Sequence, residues 1–155
     1  MKHSTTAWAM TAGAAALALL GTKPQSAWYQ RLDKPDWQPP AIAFPLFWTP
    51  LYGLIGWAGG RALTAAARDG QADKYLAMFG ADLALNAGWC WAFFTAKSPA
   101  AGLATIAALD LANAELLRAT WQLDRAAGKA LLPYVAWTGF ATALNAAIWR
   151  RNRRS

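Results

Sequence analysis

The chain has 155 residues, 56% of them hydrophobic and ten of them tryptophan, and its formal net charge is +7. That length bounds it to about one domain, and so apolar a composition speaks against an ordinary soluble globule. A single cysteine, Cys90, and a single histidine, His3, exclude an internal disulfide and leave no Cys/His set for zinc, for haem ligation or for a catalytic triad.

Apolar runs of roughly 20 residues, enough to cross a bilayer at about 1.5 Å per residue, recur with short polar connectors between them. The fold class read from this pattern is all-α: an integral, multi-pass membrane bundle of five helices forming one domain over residues 1–155. The first span covers residues 7–21 and is short, so a cleaved signal peptide is its rival, with Gln25, Ser26 and Ala27 as the cleavage site. Trp8 inside the run and four later spans that need no separate export signal favour a helix.

Next comes a connector over 22–41, rich in proline, tryptophan and charge. A connector of that length without secondary structure of its own is more often functional than filler. The second span is expected over 42–67, the third over 74–96, the fourth over 99–121 and the fifth over 129–149. In the third, Gly80, Ala84 and Gly88 recur every four residues, a ridge of small side chains that serves equally for close packing inside one bundle or for a homodimer.

Arg150, Arg151, Arg153 and Arg154 follow the fifth span directly. Such a cluster at a helix end is the usual cytoplasmic anchor, whereas nucleic-acid binding would spread the charge along a soluble face, so no nucleic-acid partner is expected. With five spans, the end bearing the connector, the 97–98 turn and the C-terminus has eight basic residues against seven at the other. The dense terminal cluster places the C-terminus and the connector in the cytoplasm.

Asp82, Asn86, Asp110, Asn113, Glu115 and Asn145 fall in or near apolar segments, where an ionisable or polar group needs a partner or a cavity. For Asn86 and Asn145 the simplest partner is a neighbouring helix. Asp82, four residues before Asn86, either shares a cavity with it or ends a chain of hydrogen bonds. Asp110 and Glu115 are five residues apart and make a poor catalytic carboxylate pair, while Glu115 and Arg118 suit a helix-surface ion pair.

Aromatic residues fall into three stripes: Trp48 and Tyr52 on the second span, Asn86, Trp89 and Phe93 on the third, and Trp137, Ala141 and Asn145 on the fifth. Stripes of this kind are commonly core or interfacial belt, and Trp8, Trp57, Trp121 and Trp149 suit the belt. If the three stripes faced each other, they would form a site for a flat, mainly apolar molecule.

Residues 28–52 hold three tryptophans and five prolines. The run Trp28, Tyr29, Leu32, Lys34-Pro35, Trp37, Pro39-Pro40, Phe44-Pro45, Trp48-Thr49 and Leu51-Tyr52 closely resembles the signature of the TspO family, the tryptophan-rich sensory proteins related to the mitochondrial translocator protein. Leu85-Asn86, Trp89, Phe93-Phe94, Leu132-Pro133-Tyr134, Trp137 and Leu144-Asn145 resemble the later blocks of that family in the same order. The resemblance implies a five-helix bundle, often dimeric, that binds a porphyrin such as protoporphyrin IX or a haem-related tetrapyrrole, and in some members a sterol. The ligand would lie between the helices beneath the loop joining the first two.

By motif position, Trp28, Tyr29 and Trp37 would belong to the lid, Trp48 and Tyr52 to the second span's wall, Asn86 and Trp89 to the third, and Trp137 and Ala141 to the fifth. No metal and no required cofactor is implied. Prolines restrict the open ensemble of such a lid, and indoles offer wide faces with one N–H each. Pro45 and Pro50, early in the second span, allow a kink at the pocket mouth. The chain departs from the cholesterol-recognition pattern of animal relatives: Leu144 to Arg150 contains no tyrosine, which moves the expected ligand toward a tetrapyrrole. The resemblance leaves two alternatives to a sensory role. One is light- and oxygen-dependent porphyrin breakdown near Trp28 and Trp137, and the other is transport of porphyrin or sterol. The alanine- and arginine-rich character points to a bacterial membrane.

Overall fold

Six α-helices and one π-helical turn make up the computed structural model, which describes residues 2–153. Arg154 of the terminal arginine cluster lies outside the described residues. The helices are α1 (Lys2–Gly21), α2 (Ala27–Arg31), α3 (Ala43–Arg68), α4 (Ala72–Cys90), α5 (Pro99–Leu123) and α6 (Arg125–Asn152). Of these, α5 and α6 are long and apolar enough by composition to cross a membrane.

The five long helices close into a ring in the order α1, α3, α6, α5, α4, with α3 also touching α4 and α5. On α1 the buried positions are Ala7, Thr11, Ala14, Ala18 and Gly21, a helical stripe of small side chains that lets α3 and α4 approach closely. Gly56 of α3 lies directly under the Trp8 ring, where a Cβ would overlap the indole. Large apolar side chains such as Leu19, Leu20, Leu46 and Leu111 stand on the outside, an arrangement suited to lipid rather than water.

The observed helices differ from the expected spans at several ends, and the cap at Asp124 explains two of the differences, whereas α5 starts where expected. Asp124 ends α5 and accepts from Ala127 N at 3.0 Å as the N-cap of α6, so α6 begins four residues before the expected Lys129. Ser98 caps α5 by accepting from Ala101 N at 3.0 Å, with Pro99 as its first residue. The third expected span, 74–96, is two pieces: α4 passes into a π turn over Trp91–Thr95, where Ala96 N donates to Trp91 O at 2.8 Å. The extra residue in this turn leaves Trp91 exposed and Phe93 buried.

The connector is not bare. Ser26 accepts from Tyr29 N at 3.2 Å and starts the short helix α2, an N-cap that the sequence reading passed over.

Candidate functional site

Beneath the connector, rings from four elements meet. Trp28 of α2 packs edge-on against Phe93 of the π turn at 5.7 Å between centroids, and Tyr29 meets Phe93 at 6.3 Å and Phe94 at 5.1 Å. Further along the same layer, Trp137 of α6 stacks on Phe47 at 4.6 Å and meets Trp48 edge-on at 6.4 Å and Phe44 at 6.0 Å, all three from α3. Phe140 joins Trp137 at 5.4 Å to Trp37 of the connector at 5.8 Å. Phe93, Leu144 and Ile148 bind the two halves together as one buried cluster that also takes in Trp28, Tyr29, Phe44 and Phe140.

Within this layer the Trp137 Nε1 donor is buried and has no hydrogen-bond partner among the described residues, and the same holds for Gln38 Oε1 at its rim. A buried N–H without an acceptor is costly. Trp89 contrasts with it: its Nε1 donates to Asn145 Oδ1 at 2.9 Å, and Asn145 Nδ2 donates to Pro99 O at 2.8 Å.

The connector is clipped to α6. Asp33 N donates to Asn152 Oδ1 at 3.0 Å, Asn152 Nδ2 donates back to Asp33 O at 2.9 Å, and Arg151 pairs with the Asp33 carboxylate at 3.5 Å. Lys34 folds over the Tyr29 ring at 4.5 Å and donates to Tyr29 O at 2.7 Å. Burial pulls the Lys34 ammonium below its ordinary pKa. It pushes the Tyr29 phenol above its own, against the opposing hydrogen bond from Gln38.

Behind the aromatic layer runs a buried polar chain. Tyr52 Oη donates to Asn86 Oδ1 at 2.7 Å, Asn86 Nδ2 donates to Tyr134 Oη at 3.0 Å, and Tyr134 Oη donates to Asp82 Oδ1 at 2.8 Å. The Asn113 amide, facing this carboxylate, is satisfied when its nitrogen donates to Asp82 and its oxygen accepts from Thr138 Oγ1 at 2.8 Å. Four helices are thus joined, α4, α5 and α6 through fully buried side chains and α3 through the partly buried Tyr52, each polar atom answered by another.

The residues singled out in the sequence therefore separate into three groups. Trp28, Tyr29, Trp37, Trp48 and Trp137 are brought into the aromatic layer. Tyr52 and Asn86 are tied into the polar chain behind it, although Tyr52 also stacks on Trp48 at 5.4 Å. Ala141 turns away to pack with Ile106 and Leu109, with Trp89 against the same cluster. Asp110 accepts from Thr142 at 2.6 Å, and Glu115 pairs with Arg118 at 2.8 Å.

Sequence reasoning did not single out Phe47 or Phe140 for this site, and it gave Asp82 as the end of a chain of hydrogen bonds among its alternatives without naming Tyr134 as the partner. The available signal was helical spacing: Phe44 is four residues before Trp48, and Tyr134 and Phe140 each lie three from Trp137. The Gly80, Ala84 and Gly88 ridge lies along a groove between α1 and α4, lined also by Met10, Leu17 and Trp91.

The TspO/MBR family pattern matches residues 6–150 of this chain, nearly its whole length. The chain belongs to the TspO/MBR family. It is 40% identical to the tryptophan-rich sensory protein of Cereibacter sphaeroides over 125 residues, covering 81% of this chain and 77% of that protein. To the tryptophan-rich protein TspO of Chlorobaculum tepidum it is 35% identical, covering 84% and 82%, and to the human translocator protein 34% identical, covering 81% and 75%. Membership in the TspO/MBR family makes this a membrane protein and supports a sensory or binding role. The family match takes in the aromatic layer and the polar chain. Asn152, which clips the connector, lies just beyond it.

Proposed function

We propose that the chain is a five-span membrane protein that binds a tetrapyrrole of the protoporphyrin IX type in the aromatic layer, with the connector as its lid, and that occupancy of this site is the signal it transmits. The observation that carries the reading is the buried, unpartnered Trp137 Nε1 within the layer of rings from α2, α3, the π turn and α6. A macrocycle slid between these rings gains wide stacking area, and a polar edge of the ligand supplies the acceptor that Trp137 lacks. Phe47 and Trp37, half exposed at 51% and 50%, are the rings free to swing aside and admit it. In this reading Trp28, Tyr29 and Trp37 cover the ligand, Trp48 and Trp137 flank it, and Asn86 acts from behind by fixing Tyr52.

Titration of the detergent-solubilised protein with protoporphyrin IX tests this, following tryptophan fluorescence in the dark and pigment absorbance under light, beside Trp28→Phe and Trp137→Phe. Saturable quenching with stable pigment is the expected result. Pigment loss that depends on Trp28 or Trp137 in the light assigns the protein to porphyrin breakdown instead. Absence of saturable quenching overturns the tetrapyrrole reading.

A further inference from the structure

We propose that a second site, sharing only the Trp28 ring with the aromatic layer, holds the phosphate of an anionic phospholipid headgroup. It is a groove of about 360 Å³ where the end of α2, the start of α5 and the end of α6 meet, with Arg31, Lys97 and Arg153 around it and the Trp28 and Trp149 rings as walls.

The charge pattern is the first reason. The three cations come from α2, from the turn before α5 and from the C-cap of α6, and among the described residues no aspartate or glutamate lines the groove. The ion pairs occupy Arg61, Arg118 and Arg151, so among the described residues no carboxylate is paired with Arg31, Lys97 or Arg153 where they line the groove. Like charges gathered this way oppose the docking of α2 on the bundle, and one anion placed among them reverses the sign of that interaction.

The shape of the donors is the second reason. Two guanidinium forks and an ammonium suit the several oxygens of a phosphate, and Arg153 is already positioned over the Trp149 ring at 5.2 Å. The groove also opens at the N-terminal end of α5, whose backbone dipole adds partial positive charge. Ser98, which lines it, accepts from Ala101 N and retains a hydroxyl hydrogen to donate outward.

The position favours a lipid as the source of the phosphate. Basic pockets between helices at a membrane surface are where anionic headgroups are held, and indoles settle at that depth. The two tryptophan walls give acyl-glycerol carbon a surface that a free phosphate ion does not use. Because Arg31 belongs to α2 and Asn152 also lines the groove, a headgroup there fastens the connector beside the Asn152 clip.

Native mass spectrometry of the full chain in an uncharged maltoside detergent tests the site, with phosphatidylglycerol or phosphatidylcholine of the same acyl chains added, and inorganic phosphate in a separate arm. Phosphatidylglycerol is expected to bind several-fold tighter than phosphatidylcholine. Arg31→Gln and Lys97→Asn are each expected to weaken it about five-fold, while Arg68→Gln at the other end of the bundle leaves it unchanged. Asparagine suits position 97 because the backbone there is left-handed, with φ of 56°. Equal binding of the two lipids overturns the proposal without recourse to any variant. So does wild-type affinity in both Arg31→Gln and Lys97→Asn. Inorganic phosphate that displaces phosphatidylglycerol at equal concentration assigns the groove to the free ion and overturns the lipid assignment.

Discussion

Tyr134 donates its phenol hydrogen to the Asp82 carboxylate at 2.8 Å, and both residues are fully inaccessible to solvent. The same phenol oxygen accepts from Asn86, so one atom couples α6 to two points on α4. Tyr134→Phe keeps the ring and removes only this oxygen, leaving Asn86 Nδ2 without its acceptor and the carboxylate with Asn113 as its remaining donor. The expected loss is about 1–3 kcal/mol, at the upper end because a buried carboxylate is affected. Thermal unfolding in detergent measures it, and a variant that melts with the wild type would remove the chain's structural role.

Trp137→Phe is expected to behave in the opposite way. Its Nε1 makes no hydrogen bond, so phenylalanine loses stacking area with Phe47 and Trp48 but no polar partner. Stability is expected to fall by less than in Tyr134→Phe, while affinity for protoporphyrin IX drops about five- to tenfold through the missing donor. A purely structural tryptophan would show the reverse ranking, with a large melting shift and unaltered porphyrin binding. The pair of variants, read by melting and by fluorescence quenching, separates the two roles.

Part of the aromatic layer was legible in the sequence because large flat residues at helical spacing mark one face of a helix, as Trp48 and Trp137 do, whereas Tyr52 and Trp89 sit on such stripes but are tied to Asn86 and Asn145. What spacing does not give is rotation about the helix axis. Ala141 follows Trp137 by four residues, yet it faces Ile106 and Leu109 of α5, because the α6 stripe is wide enough to serve two neighbours. Asp82 was visible as a buried acid in need of a partner. Its partners were not, since Tyr134 lies 52 residues away and only the closed ring of helices brings it near. The π turn had no legible signal, because Trp91–Thr95 continues the apolar run without a break in composition.

The Asn152 clip makes the connector's closure separable from the bundle's stability. Asn152→Ala removes both bonds to the Asp33 backbone, while the loss of the side-chain bond from Asn152 Nδ2 to Ile148 O is local to the last turn of α6. Two hydrogen bonds at about 0.5–1.5 kcal/mol each correspond to roughly five- to 150-fold more frequent opening. Amide hydrogen exchange over 27–38 is expected to accelerate within that range, with the melting temperature changed by a degree or two. Uniform acceleration across α5 and α6 as well would mean that Asn152 supports the bundle rather than the lid.

Asp124 predicts an acid limb in the stability of the helical hairpin formed by α5 and α6. Burial by itself would raise its pKa, but the Ala127 N–H, the Arg61 guanidinium and the adjacent backbone outweigh it, so the folded carboxyl lies below its ordinary value. A carboxyl held low in the fold contributes stability that is fully present above the unfolded value of about 3.9 and is lost as pH falls through the lower folded value. Asp124→Asn keeps a competent N-cap side chain for α6 and abolishes the charge. The expected outcome is a modest loss at neutral pH, since the Arg61 pair is partly exposed and screened. The difference between wild type and variant should then shrink to nothing as the medium is acidified below pH about 4. Melting temperatures of the two proteins from neutral pH downward decide it, and a difference that stays constant through the acid range would show that Asp124 acts through capping geometry rather than through its charge.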